Sequence, residues 1–191
     1  MKLVLASSSP RRQAYLKDLG IPFQRVSPDV DETRRRAESP RAYVRRLAVE
    51  KASAVSERYP SSWVVSADTT VVIDKTVLGK PRNAAHARKM LRQLSGRSHR
   101  VLSGIALVHR GEAVVRSAVS STRVFIRRLG DDEIRWYVGT GEPLDKAGAY
   151  GAQGKGGLLV ARVEGSFSNV VGFPLEKFYE LIKACGLPLP E

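Results

Sequence analysis

Cysteine occurs once, at Cys185, in a chain of 191 residues. One thiol excludes an intramolecular disulfide and any cysteine-based zinc cluster, and it fits a reducing compartment, so the fold must rest on its own core. Cys185 itself reads as helix packing. Aromatic residues are scarce, at 7%, which weighs against the stacking surfaces of single-strand nucleic-acid binders. No apolar run approaches a membrane span, and the few apolar residues before the serines at 7–9 are too short for a secretory signal. The three histidines, His86, His99 and His109, show no metal-ligand spacing, and no Ser-His-Asp order is evident. The glycine-dense stretch near residue 150 matches neither a P-loop nor a dinucleotide fingerprint. A soluble cytoplasmic protein is expected.

Positive charge, by contrast, is plentiful: 32 lysines and arginines face 19 aspartates and glutamates, a net of +13. Such a balance signals a polyanionic partner. The cations run from Arg11 to Lys183 without gathering in a tail, so a highly charged small anion explains part of the excess as well as nucleic acid does. Apolar residues make up 42%, enough for an ordinary core in one domain spanning 1–191.

The order of elements reads as α/β. Residues 2–6 suggest a short buried strand. Ser9-Pro10 supplies an N-cap and a proline at the first helical position, opening a helix that Gly20 ends. "FQRV" is a second extended piece, and "SPDVDETRRRAESP" a polar loop with turn signals. Ser39-Pro40 repeats the cap before a helix with Val44, Leu47, Ala48, Ala52 and Val55 on one stripe. "WVVSADTTVVID" reads as one buried strand or two joined by a kink, and a helix spans 84–94. Residues 100–129 suggest three extended runs with "HRGE" as a hairpin turn, followed by an acid-started helix over 131–138. Beyond the glycine-dense segment come a strand "LLVARV", a turn at "EGSFSNVVGFP" and a final helix over 175–185.

Several residues break the local rules. Arg11 and Arg12 stand in the first turn of a helix, where the partial charge is positive and the N–H groups are unpaired. They are either solvated surface arginines or, with the serines before them, a recognition site for phosphate. Arg12 shares the stripe of Tyr15, Leu16 and Leu19 and so faces the protein body. Lys51 takes an apolar position on its stripe, as a snorkelling side chain or as a phosphate-binding ammonium. Asp68 lies inside a run of β-branched residues, where a carboxylate costs several kcal/mol unless paired, bonded or metal-bound. It is a strand-end cap or an active-site acid. Asp31 and Glu32 are loop acids, Lys80 follows Gly79 in a rigid turn before Pro81, and Gln153 offers an amide suited to reading a base edge. Together these groups suit phosphate chemistry without a covalent nucleophile: cations for a polyphosphate, carboxylates for Mg²⁺ and water.

The segments "LASSSPRR", "VDE", "RAYVRRLAVEKA", "SADT", "LGKPRN", "LSGRSH", "EPLDKAGAYGAQGKG" and "GSFSNVVGFPL" resemble, in order and over nearly the whole length, the Maf family of nucleoside triphosphate pyrophosphatases. The resemblance implies an elongated α/β fold with a central twisted, mixed sheet flanked by helices and a cleft between two lobes, shared at a distance with inosine triphosphate pyrophosphatases. It implies hydrolysis of a nucleoside triphosphate to monophosphate and pyrophosphate with a divalent metal, Mg²⁺ or Mn²⁺. By the same resemblance Asp68 is the catalytic proton acceptor, and Glu32 with Asp68 holds the metal. Ser8, Arg11, Arg12, Lys51 and Lys80 line the polar cleft, while Arg12, Thr69 and Gln153 bear on substrate choice. "ADT" and the "DKAGAYGAQG" stretch resemble the subgroup acting on dTTP and UTP more than the 7-methyl-GTP subgroup. The chain departs at Ser66, where glycine is usual, and at Ala152, where isoleucine is usual. A homodimer is implied; a membrane partner is not, and nucleic acid is the less favoured partner. The competing expectation is a non-catalytic regulator of cell division that binds nucleotide or nucleic acid.

Overall fold

A computed structural model describes residues 2–188. In chain order the elements are β1 (Leu3–Ala6), α1 (Pro10–Asp18), β2 (Phe23–Val26), α2 (Pro40–Ser56), β3 (Trp63–Ile73), β4 (Thr76–Leu78), α3 (Ala84–Leu94), β5 (Ser98–His109), β6 (Val114–Ile126) and α4 (Asp131–Gly139). Three 3-10 turns follow at Glu142–Asp145, Ala147–Ala149 and Gly154–Leu159, then β7 (Val160–Glu164), α5 (Phe167–Val171) and α6 (Leu175–Ala184). The strands form one mixed sheet in the order β2-β1-β3-β5-β6-β7, with β4 on β3. β1 is parallel to β2 and β3, whereas β4 and β7 pair antiparallel. Among the described residues no helix is long and apolar enough to cross a membrane.

The chain divides into two compact units. The first takes residues up to Asp68, Ser103–Ser120 and from Gly172 onward; the second takes Thr69–Leu102 and Ser121–Val171.

In the first unit the period-two alternation of strands builds a core on each face of the sheet. Leu3 and Leu5 of β1 join Trp63, Val65 and Ala67 of β3 against Leu16, Phe173, Phe178 and Ile182. Val4 and Ala6 join Val64 against Ala48, Ala52 and Val55 of α2. Strands covered on both sides need apolar residues at every position, which is why "LVLA" and "WVVSA" show no polar alternation. Helix α2 lies very close to the sheet. A Cβ on Gly104 of β5 would come within 2.1 Å of the Val44 carbonyl oxygen, and the buried Ser66 hydroxyl donates to the Ala48 carbonyl. The serine at this position therefore ties β3 to α2.

The second unit has its own core, in which Tyr137, Leu91, Leu94, Ile134 and Leu159 are fully buried. Residues 100–129 hold two long strands instead of three runs. The hydroxyls of Ser120 and Thr122 are bonded to Glu176 and to the Ser166 carbonyl, and β6 continues through them. The run from Trp63 is a single eleven-residue strand. β7 begins only at Val160, because 158–159 complete a 3-10 turn, and the expected turn after it contains the short helix α5.

Candidate active site

Lys51 and Asp68, two residues that break their local patterns, answer each other. Val64, Ser66 and Asp68 alternate onto the α2 side of β3, and Ala48 and Lys51 lie on the facing stripe of α2. The Lys51 ammonium donates to Asp68 Oδ1 at 2.6 Å, and Glu32 Oε1 accepts from the same nitrogen at 2.7 Å. Lys51 and Asp68 side chains are only 8% and 11% exposed, so the ammonium does not snorkel to water and the carboxylate is a paired buried charge. Glu32, in contrast, is 58% exposed and comes from a loop without regular structure.

That loop is anchored by α2. Tyr43 Oη donates to the Glu32 carbonyl at 3.0 Å. Arg46 grips Glu38 through Nε and Nη2, at 2.7 and 2.9 Å, reaches Glu50 at 2.7 Å and the Thr33 carbonyl at 3.1 Å. The Arg46 guanidinium holds the Glu38 carboxyl down at about 2. Arg46, Glu38 and Tyr43 were not singled out from sequence. The available signal was Arg46 with Glu50 four residues on, a spacing that usually marks a solvated helix face.

The N-terminus of α1 lies at the end of β1. Ser9 has no side-chain capping bond; instead the buried Ser7 hydroxyl accepts from Ser9 N at 3.2 Å and from Arg12 Nη1 at 3.1 Å. Arg12 Nε donates to the Gly172 carbonyl at 2.9 Å, so Arg12 faces the protein body, as its stripe requires. Burial lowers the Arg12 pKa, Asp68 opposes that shift, Arg11 adds to it and Glu32 opposes it. The first turn of α1 carries no acid. Arg11 is half-buried and Ser8 exposed at this end of the helix.

Thr69, Lys80 and Gln153 belong to the second unit. Thr69 follows Asp68 on β3, so its side chain leaves the other face of that strand. Lys80 and Gln153 are exposed. The glycine-dense segment around Gln153 is a set of tight turns closed on a carboxylate. Glu142 Oε1 accepts from Tyr137 Oη at 2.9 Å and Gly156 N at 3.1 Å, Oε2 accepts from Lys155 N at 3.2 Å, and Gly151 N donates to Tyr137 Oη at 3.0 Å. A Cβ on Gly156 would meet the Gly151 carbonyl at 2.3 Å, which explains a glycine there. None of the histidines joins Asp68: His99 packs its Nε2 on Tyr150 Oη at 2.7 Å, and His86 and His109 accept from backbone N–H groups of Arg82 and Glu112.

The donor set bears on metal chemistry. Among the described residues no group of three or more His, Cys, Asp or Glu could hold an ion as a closed protein cage. Two carboxylates meeting on one ammonium are hard oxygen donors of the kind that bind Mg²⁺ together with substrate phosphates and water. Glu32 and Asp68 fit that ion class.

The sequence matches the family model described as Maf-like protein over residues 2–185. It is 54% identical over 188 residues to a dTTP/UTP pyrophosphatase of Myxococcus xanthus (strain DK1622), covering 98% of this chain and 94% of that protein. A dTTP/UTP pyrophosphatase of Symbiobacterium thermophilum is 51% identical, with 98% and 96% covered. Among solved structures, the Staphylococcus aureus Ham1 protein has a TM-score of 0.53 at 13% identity, covering 97% of each chain. A HAM1 protein from Coxiella burnetii has a TM-score of 0.51 at 21% identity, over 68% of this chain and 74% of that one. These two likenesses concern the α/β fold alone. Matched by the family model over almost its full length, the chain belongs to the Maf family.

Proposed function

We propose that this chain hydrolyses nucleoside triphosphates, dTTP and UTP foremost, to the monophosphate and pyrophosphate by metal-assisted attack of water at the α-phosphorus. The observation that carries the reading is the meeting of Asp68 and Glu32 on the buried Lys51 ammonium. The names of the Myxococcus and Symbiobacterium relatives support the choice of nucleotides.

Asp68 Oδ1 is engaged by Lys51, and we assign Oδ2 as the oxygen that takes the proton of the attacking water. The water oxygen bonds to the α-phosphorus as the bond to the β-phosphate oxygen breaks, and pyrophosphate leaves. Lys51, Arg11, Arg12 and Ser8 face the developing charge with cations and a hydroxyl at the positive end of a helix, a preorganised set for phosphoryl oxygens. Glu32 and Asp68 would hold a Mg²⁺ or Mn²⁺ ion, which when bound neutralises phosphate charge and makes water a better nucleophile. Lys80 is assigned to phosphate binding, and Arg12, Thr69 and Gln153 to substrate choice, on the family resemblance. So are a homodimer, a cytoplasmic location and the use of residues 1–191 as one functional domain.

The test is a pyrophosphate-release screen over canonical and modified triphosphates with Mg²⁺ and Mn²⁺, with dTTP hydrolysis repeated in ¹⁸O-water. The label is expected in the monophosphate and not in pyrophosphate; label in pyrophosphate overturns attack at the α-phosphorus. No pyrophosphate release together with steep, salt-dependent DNA binding would instead establish the regulator that the +13 charge allows.

A further inference from the structure

Glu32 is the odd member of the acid pair, since nothing in its own loop, residues 27–39, fixes it by helix or sheet. Asp31 Oδ1 accepts from Thr33 N at 2.8 Å across it, and two further ties come from one stripe of α2. Tyr43 Oη holds the Glu32 carbonyl and Arg46 Nη2 holds the next carbonyl, that of Thr33. Arg46 can do so because its other donors are fixed. Nε and Nη2 fork onto both oxygens of Glu38, at the far end of the loop, and Nη1 rests on Glu50 of its own helix. Glu38 Oε2 also accepts from Arg35 N at 3.1 Å. The pair is largely desolvated, with the Arg46 and Glu38 side chains 14% and 9% exposed, unlike a surface ion pair that solvent would screen. Tyr43, Arg46 and Glu50 recur at three- and four-residue spacing, so one stripe of α2 carries the anchor, while Lys51 stands on the buried stripe with Leu47 and Ala48.

We propose that Arg46 is the positioning residue for Glu32: anchored on Glu38 and Glu50, its guanidinium pins the Thr33 carbonyl and keeps the Glu32 carboxylate on Lys51. This rests on Glu32 and Asp68 being acids of the phosphohydrolase site. Lysine cannot replace Arg46, because a point charge cannot serve two Glu38 oxygens, Glu50 and a carbonyl in one plane.

Amide exchange over 30–36 and the metal dependence of turnover should be measured for wild type, Arg46→Lys, Arg46→Gln, Glu38→Gln, Glu32→Gln and the Glu32→Gln/Arg46→Gln double variant. Exchange over 30–36 is expected to rise about tenfold or more in both Arg46 variants and in Glu38→Gln, and to stay near wild type in Glu32→Gln. The half-saturating metal concentration is expected to rise about tenfold in Arg46→Gln with kcat largely kept, Arg46→Lys failing to restore it. The double variant should lose no more than Glu32→Gln alone, since one residue acts through the other. Unchanged exchange in the Arg46 and Glu38 variants overturns the anchoring, as do additive losses in the double variant its action through Glu32. Full activity in Glu32→Gln would overturn the reading of Glu32 as a reactive-site acid and with it the catalytic consequence, while exchange alone would still judge whether Arg46 holds the loop. Glu38→Gln keeps that judgement possible if the Arg46 variants do not fold.

Discussion

Loop 27–39 in the first unit and the glycine-dense segment 141–157 in the second are both polar backbone outside helix and sheet, and they are fixed by different means. The first joins a few bonds of its own, such as Thr33 N to Asp31 and Arg35 N to Glu38, to anchors supplied by α2. A guanidinium on α2 forks onto Glu38, a tyrosine hydroxyl takes the Glu32 carbonyl, and the loop contains no glycine, its left-handed position being taken by Ala37 at a φ of 59°. The second is wrapped around an acceptor of its own: the Glu142 carboxylate takes two backbone N–H groups, and glycines allow the chain to close on it and on Tyr137. Tethers of this kind let the Glu32 carboxylate reach the Lys51 ammonium. Backbone wrapping spends the side chains on closure and leaves one amide, Gln153, exposed.

The comparison predicts different sensitivities. The largest loss of stability should follow Lys51→Met, which leaves the buried Asp68 carboxylate without its ammonium; denaturant unfolding at neutral pH is expected to show a cost of about 3–5 kcal/mol. If the loss is below about 1 kcal/mol, the pair is effectively solvated and the first unit's site is looser than its geometry implies. Gly156→Ala comes next. Its new methyl would overlap the Gly151 carbonyl and the Tyr137 hydroxyl, at 2.3 and 2.4 Å, and overpacking of this kind costs about 1–3 kcal/mol. A neutral Gly156→Ala would mean that the segment has slack and is not wrapped on Glu142.

A smaller and pH-specific effect belongs to His99, also in the second unit. Burial holds its pKa down to about 4 against an ordinary 6.5. The folded chain therefore binds fewer protons than the unfolded one between these values, so this contribution is present at neutral pH and is lost as pH falls from about 6.5 to about 4. In mildly acid buffer only a fraction of this loss is reached. His99→Gln should flatten unfolding stability across this window; an unchanged pH profile would show that another group titrates there.

Much of the site was legible because its residues violate a period. Lys51 interrupts an apolar stripe and Asp68 interrupts a buried strand, and burial forces such interruptions to find partners. Arg12 was legible for the same reason, lying on the inward stripe of α1. The anchors were not. Arg46, Glu38 and Ser7 occupy positions where charged or hydroxyl residues are ordinary, and only the fold shows that Arg46 reaches the Thr33 carbonyl and that Ser7 accepts from Arg12. In the fold, helix ends marked by Ser-Pro and Gly were read closely, whereas residues 100–129 were read as three runs where there are two strands, β6 running on through hydroxyl residues that are hydrogen-bonded.

The central claim is that the acid on β3 does chemistry and the ammonium on α2 holds it there. Turnover of Asp68→Asn beside wild type, at saturating dTTP and Mg²⁺, tests it most directly, because the amide keeps the shape and Lys51 retains Glu32. A folded variant with turnover reduced about 10²–10⁴-fold is predicted; a folded variant with near wild-type turnover would contradict it.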